Sequence, residues 1–299
     1  MRAAAVDIGT NTARLLVADV GEGRVVDLER RAEVVALGEG VDRSGRLSEA
    51  AVGRAVVLLA EYAAVVSRYQ VGAIRVVATS ATRDAANATS FLDAAEQVLG
   101  RRPEVIDGGE EAALSFRGAL SAFPGPGPTL VIDPGGGSTE FVIGGHEPVA
   151  VNSIDIGSVR LTERLLPERP ATAERVGVAT AAVASMFAEV TIPIPPGRAI
   201  GVAGTFTSLA AVSLGLAVYD RTLVHGAILT LEDLDGLVSL LSGLTVEETA
   251  ALPSLQPGRA PVLLGGAVVA REAVRRSGLG WVTVSESDLL DGVVLGLAD

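Results

Sequence analysis

Ala5-Val6-Asp7-Ile8-Gly9-Thr10-Asn11-Thr12 opens the chain, and Val131-Ile132-Asp133-Pro134-Gly135-Gly136-Gly137-Ser138-Thr139-Glu140 repeats its logic half a chain later. Each is a short apolar run that ends in Asp, then Gly, then Ser or Thr. An Asp at a strand end can hold a divalent cation, directly or through water. Glycines let backbone N–H groups come close to phosphate, and the hydroxyls add donors. One such loop also makes an ordinary turn. Two of them predict a duplicated phosphate-binding α/β fold.

The rest of the chain fits that reading. Ala3–Val6 and Ala13–Val20 read as strands around the first loop, with Arg24–Leu37 as a third. Ser48 is a candidate N-cap for a helix through Ser67. A buried strand over Ile74–Ala78 leads into Thr79-Ser80-Ala81-Thr82-Arg83-Asp84. Helices are predicted over about Ser90–Leu99 and Glu110–Leu120. Phe123-Pro124-Gly125-Pro126-Gly127-Pro128 cannot continue a helix or a central strand, so domains are predicted over 1–122 and 123–299. A final helix, about 286–299, could pack back on the first domain. In the second half, strands are predicted at 129–132, 140–143, 149–156, 199–203 and 281–284. Helices are predicted at 158–165, 173–187, 231–241, 262–275 and 289–297, with another starting at Gly204-Thr205-Phe206-Thr207.

The chain has 299 residues, 48% of them hydrophobic and only 3% aromatic, which suits α/β domains better than all-β ones. It has no Cys, so thiolate metal sites and thiol nucleophiles are excluded. It also has no Lys, which excludes a P-loop lysine. The formal charge of −12 argues against broad nucleic-acid binding. A polyanionic substrate must then be met by metal, backbone amides and a few placed arginines. No apolar run reads as a clean membrane span and no leader pattern opens the chain, so a soluble cytoplasmic protein is the expectation.

Glu110 and Glu111 follow Asp107-Gly108-Gly109 at a predicted helix start. Acids there favour the helix dipole, but beside a phosphate site one of them can deprotonate a water. Arg14 follows the first phosphate loop and Arg83 lies in the Ser/Thr-rich turn after the Ile74–Ala78 strand; either can fork onto phosphate oxygens or make a surface ion pair. Glu140 starts a strand, where charge is commonly exposed. Gly204-Thr205 opens a third loop of anion-binding type or a capped helix. His146 and His225 lack metal-ligand spacing and read as structural or surface residues.

Taken together, these segments resemble the exopolyphosphatase / guanosine pentaphosphate phosphohydrolase family. Asp7 to Leu15 is similar to its first phosphate motif, and Ala78 to Asn87 to its arginine-bearing segment. Gly108-Gly109-Glu110-Glu111-Ala112 is similar to its catalytic glutamate motif, Asp133 to Glu140 to its second phosphate motif, and Gly204-Thr205-Phe206-Thr207 to its later loop. The resemblance implies two ribonuclease-H-like domains of the actin and sugar-kinase superfold, with the site in the cleft. It makes Glu111 the catalytic glutamate. Asp7, Asp133 and Glu140 become metal residues for Mg2+ or Mn2+. Gly9, Thr10, Asn11, Thr12, Arg14, Arg83, Gly135, Gly136, Gly137, Ser138, Thr139, Gly204 and Thr205 become phosphate-binding. It implies homodimers in many members.

Two departures stand out: Pro134 takes the place of an apolar residue, and Gly258-Arg259-Ala260-Pro261 that of Arg-Ala-Asp. The expected substrate is inorganic polyphosphate, in short chains because the sequence ends at Asp299; guanosine pentaphosphate is the alternative. A superfold kinase and a non-catalytic polyphosphate or nucleotide sensor are the other classes. The Glu-Glu motif weighs against the kinase, and an intact Glu111 with both Asp residues against the sensor.

Overall fold

A computed structural model describes residues 1–299. Contacts divide it into two compact units, Met1–Phe123 with Ser287–Asp299, and Pro124–Glu286.

The first unit holds β1 (Arg2–Ile8), β2 (Thr12–Gly21), β3 (Arg24–Val34), α1 (Val41–Ser44), α2 (Glu49–Tyr69), β4 (Ala73–Ala78), α3 (Ser80–Asp84), α4 (Ala88–Leu99), β5 (Glu104–Val105) and α5 (Gly108–Ala122). The second holds β6 (Thr129–Pro134), β7 (Thr139–Gly144), β8 (Pro148–Ile154), α6 (Ser158–Leu165), α7 (Ala173–Phe187), β9 (Arg198–Gly201), α8 (Ala203–Ser213), α9 (Arg221–Val224), β10 (Ile228–Thr230), α10 (Leu231–Gly243), α11 (Val246–Ala250), α12 (Ala260–Ser277) and β11 (Trp281–Val284). The last helix, α13 (Leu289–Gly296), returns to the first unit.

The first sheet runs β3-β2-β1-β4-β5, and the second β10-β11-β9-β6-β7-β8. In both, three antiparallel strands joined by short turns are extended by parallel strands beside the first: β1 pairs parallel with β4, and β6 with β9. That order is ribonuclease-H-like and occurs twice, as the repeated loops require. β10 adds an antiparallel edge to the second sheet.

Strand alternation gives the first sheet two apolar faces. Ala4, Val6, Ile8, Leu15 and Val17 pack with α2 and α4. Ala3, Ala5, Leu16, Ala18 and Val77 pack with Leu289, Leu290, Val293 and Val294 of α13. Each of those four side chains contributes about 1.5–3 kcal/mol on burial. Gly118 of α5 and Gly292 of α13 let the two helices touch backbone to backbone. A Cβ at Gly118 would lie 1.8 Å from the Asp288 carbonyl oxygen, and one at Gly292 2.0 Å from that of Leu114.

The second unit packs Leu130, Ile132, Phe141 and Phe206 with its helices, and Phe141 meets Phe187 edge-on at 4.9 Å. Such a pair adds about 0.5–1.5 kcal/mol beyond area.

Three expectations need correction. β3 stops at Val34 because the chain turns there, with Ala36 at φ 47°. The Ser/Thr-rich turn after β4 is a short helix, Ser80–Asp84. α2 is long and apolar enough, by length and composition, to pass for a membrane span. Its Ala51, Ala55, Leu59, Tyr62 and Val65 form a core-facing stripe, and Arg54 and Glu61 interrupt its outer face.

Candidate active site

The two Asp-Gly loops have the same local structure. Asp7 lies near the end of β1, and Gly9 N donates to Thr12 O at 3.0 Å. Asp133 lies near the end of β6, and Gly135 N donates to Ser138 O at 3.0 Å. Each loop is braced by the segment that follows the third strand. Val35 N and Ala36 N both donate to Asn11 O at 2.9 Å, and Gly38 N to Thr10 O at 2.7 Å. In the second unit, Ser158 N donates to Gly135 O and Val159 N to Gly136 O, both at 2.9 Å. Gly157 makes that brace possible, since a Cβ there would sit 2.5 Å from Gly136 O. Carbonyls used this way are turned toward the brace, and the loop is held rigid.

Asp7 is buried. Arg14 faces it across the hairpin, and both Arg14 Nε (2.8 Å) and Nη2 (2.7 Å) reach the same oxygen, Oδ2. Asp7 Oδ1 is buried and has no hydrogen-bond partner. Arg14 Nη1 bonds Asp288. Burial pushes the Asp7 carboxyl above its usual range; Arg14 opposes this and Asp288 reinforces it. Arg14, expected on phosphate, is thus engaged by two carboxylates.

Arg83 sits in α3, where Nη1 donates to Ile106 O and to Glu111 Oε2, both at 2.8 Å. Glu111 is in the first turn of α5, capped by Asp107, whose side chain accepts from Glu110 N. The neighbouring acids diverge. Glu110 turns to Arg75 on the exposed side, whereas the Glu111 side chain is only 12% exposed against Arg83. Thr79, Ser80 and Thr82 are buried around this turn, and Thr82 Oγ1 has no partner.

In the second unit Asp133 and Glu140 form a cross-strand pair, and both are buried. Glu140 Oε1 accepts from Ser153 Oγ at 2.8 Å, so this strand-start acid is interior rather than exposed. Pro134 ends β6 opposite Thr139, and its carbonyl accepts from Thr205 Oγ1 at 2.8 Å. The third loop is thereby tied to the second. Gly204 and Thr205 lie in the first turn of α8, after Ala203 at φ 66°. Alanine in that left-handed region costs on the order of 1 kcal/mol, and such strain gathers at ligand loops. Pro261 falls in the first turn of α12, where no N–H is needed. His225 is structural: its Nδ1 accepts from Glu286 N at 3.1 Å.

No group of three or more acidic or histidine side chains is preassembled for a metal. Mg2+ does not require one. It takes one or two carboxylates, keeps waters and shares substrate phosphates. The buried bare Oδ1 of Asp7 and the buried carboxylate of Asp133 are hard oxygen donors of that kind.

Asp288 and Asp291 are the residues that the sequence reading missed. Their capping box at α13, an acid-x-x-acid pattern before an apolar run, was the available signal.

Residues 16–299 match the Ppx/GppA phosphatase family. The chain belongs to that family. It is similar to Exopolyphosphatase 2 of Mycobacterium tuberculosis, with 43% identity over 99% of this chain and 98% of the relative. Among solved structures, an exopolyphosphatase-like protein matches with TM-score 0.94 and 38% identity, covering 99% of this chain and 97% of the other. The Aquifex aeolicus Ppx/GppA member matches with TM-score 0.84 and 30% identity, covering 100% and 97%. These place the chain among the phosphoanhydride hydrolases of the Ppx/GppA group.

Proposed function

We propose that the protein removes terminal phosphate from inorganic polyphosphate, with preference for short chains. The observation that carries this is the divergence of Glu110 and Glu111. Only Glu111 is turned inward, against an arginine at a strand C-terminal turn. Similarity to Exopolyphosphatase 2 supports polyphosphate as the substrate.

Glu111 accepts a proton from water, the oxygen attacks the terminal phosphorus, and the bridging P–O bond breaks with the shortened chain as leaving group. Arg83 uses only Nη1 for Glu111 and Ile106 O, so the rest of its fork is not tied to that pair and can take phosphate oxygens. The loops at 9–12, 135–139 and 204–205 supply amides and hydroxyls. Asp7 in the first unit, and in the second Asp133 with its cross-strand partner Glu140, are the residues that would hold Mg2+ or Mn2+, which neutralises phosphate charge when bound.

Phosphate release should be measured in parallel on tripolyphosphate, long polyphosphate, guanosine pentaphosphate and ATP, for the wild type, Glu111→Gln and Glu110→Gln. Glu111→Gln should lower turnover about 10²- to 10⁴-fold, with Glu110→Gln close to wild type. Loss confined to Glu110→Gln would refute the assignment of the base. Faster release from guanosine pentaphosphate than from any polyphosphate would refute the substrate.

A further inference from the structure

In the first unit, a chain of buried charges runs from Asp7 through Arg14 to α13. Arg14 commits Nε and Nη2 to one oxygen of Asp7, and Nη1 to Asp288 Oδ2. The side chains of Asp7, Arg14 and Asp288 are 5%, 15% and 9% exposed, so water does little to screen them. Asp288 is itself fixed. Its Oδ1 accepts from Leu290 N at 3.0 Å, and its own N–H donates to Asp291 Oδ2 at 3.0 Å. Asp291 in turn pairs with Arg30 at 2.9 Å.

The geometry points to a role for this chain: we infer that Asp288 is a positioning residue that holds Arg14 edge-on, so that Asp7 keeps Oδ1 open for a divalent cation. An arginine facing a single carboxylate prefers the two-oxygen fork. That fork would cover both oxygens of Asp7 and neutralise it. Asp288 fixes Nη1, so the guanidinium cannot shift along Asp7 to set Nε on one oxygen and Nη2 on the other, and both donors converge on Oδ2. The bare buried Oδ1 is the result. A carboxylate with one oxygen anchored and the other open is pre-aimed, and its anchor costs it no donor atom on the open side. The inference rests on the reading of Asp7 as a cation ligand.

The test is a titration of Mn2+ into the full chain without substrate, followed by phosphate release from tripolyphosphate at varied Mg2+. Asp288→Asn keeps the cap on Leu290 and removes the charge. It should weaken Mn2+ binding about tenfold and raise the Mg2+ needed for half-maximal rate by a similar factor. Asp288→Ser, which also keeps an N-cap oxygen, repeats the measurement if the Asn variant melts early. In an Arg14→Gln background, Asp288→Asn should cause no further loss, because its effect runs through Arg14.

Wild-type Mn2+ binding in Asp288→Asn and Asp288→Ser would overturn the inference. So would full additivity with Arg14→Gln. Failure of the underlying reading looks different: Asp7→Asn would then bind Mn2+ and turn over like the wild type.

Discussion

Replacing Gly118 by alanine places one methyl group where α5 and α13 meet. An ideal Cβ there is 1.8 Å from the Asp288 carbonyl oxygen and 2.6 Å from its carbon, and contacts under 3.0 Å do not occur. The obstacle is backbone, so no side chain can swing aside. α13 must retreat by more than 1 Å, because 3.0 minus 1.8 leaves 1.2 Å to be found. Overpacking of this kind costs about 1–3 kcal/mol, and loosened burial of Leu289, Leu290, Val293 and Val294 pushes it to the upper end. About 3 kcal/mol corresponds to a fall in Tm of roughly 6–12 °C for a protein of this size. The shift also moves Asp288 relative to Arg14, so phosphate release should fall at temperatures where the fold persists. Gly53→Ala is the control: its Cβ meets nothing within 4 Å in the second turn of α2. It should raise stability by about 0.5–1 kcal/mol. Thermal melts and phosphate release on the same samples decide the matter. A Gly118→Ala protein that melts with or above the wild type, as Gly53→Ala should, would refute the close crossing.

Other outcomes are expected. Asp133→Asn should need several-fold more Mg2+ for half-maximal rate while melting near wild type, since a buried acid is exchanged for an isosteric amide; an unchanged Mg2+ titration counts against a metal role. His225 accepts a backbone N–H on Nδ1, and burial together with Arg221 holds its imidazole below the usual 6.5. The stability from neutral His225 is therefore complete above about pH 6.5 and is lost as pH falls below it. His225→Asn keeps an acceptor that does not titrate, so its Tm should fall less than the wild type's between about pH 7.5 and 5.5; equal falls would show that His225 is not the titrating group. On size-fractionated polyphosphate, kcat/KM per chain should level off at short lengths if the short-chain preference holds, because only phosphates in contact with the protein add binding energy. A rate that climbs to hundreds of phosphates, on the order of the longest chains tested, would count against the short-chain preference.

Much of the fold was legible because its signals are local. α6, α7 and β11 fall on the residues that periodicity and caps indicate, Thr172 being the cap that starts α7. The paired Asp-Gly loops announced the duplication, and both sheets carry it. The short elements α1, α9, β10 and α11 were not anticipated, being three to five residues long with too few positions to show a period, although Thr245 and Glu248 form a capping box at α11 and Asp220 caps α9. The same limit applies at the candidate site. That Glu110 and Glu111 diverge could be argued from adjacency, but which one turns to Arg83 is decided by Arg75 and the sheet. That Arg14 is held between Asp7 and Asp288 was not legible, because Asp288 lies 274 positions away. Glu140 read as surface charge because a strand start does not say what covers the side chain; it lies between Asp133 and Ser153 of the neighbouring strands and is buried.

The return of α13 to the first sheet bears on how the protein is made. Residues 124–286 leave the ribosome before Ser287–Asp299 do, so the first unit waits on the order of ten seconds with one face of its sheet uncovered. That face is built largely from Ala3, Ala5, Ala18, Leu16 and Val77, and small alanines make a poor template for sticking to other nascent chains. A message broken between codons 14 and 288 yields a product with Asp7 and Arg14 but without the Asp288 that holds the arginine. On the reading of Asp7 proposed above, prematurely terminated copies would lack the anchor that keeps its Oδ1 open.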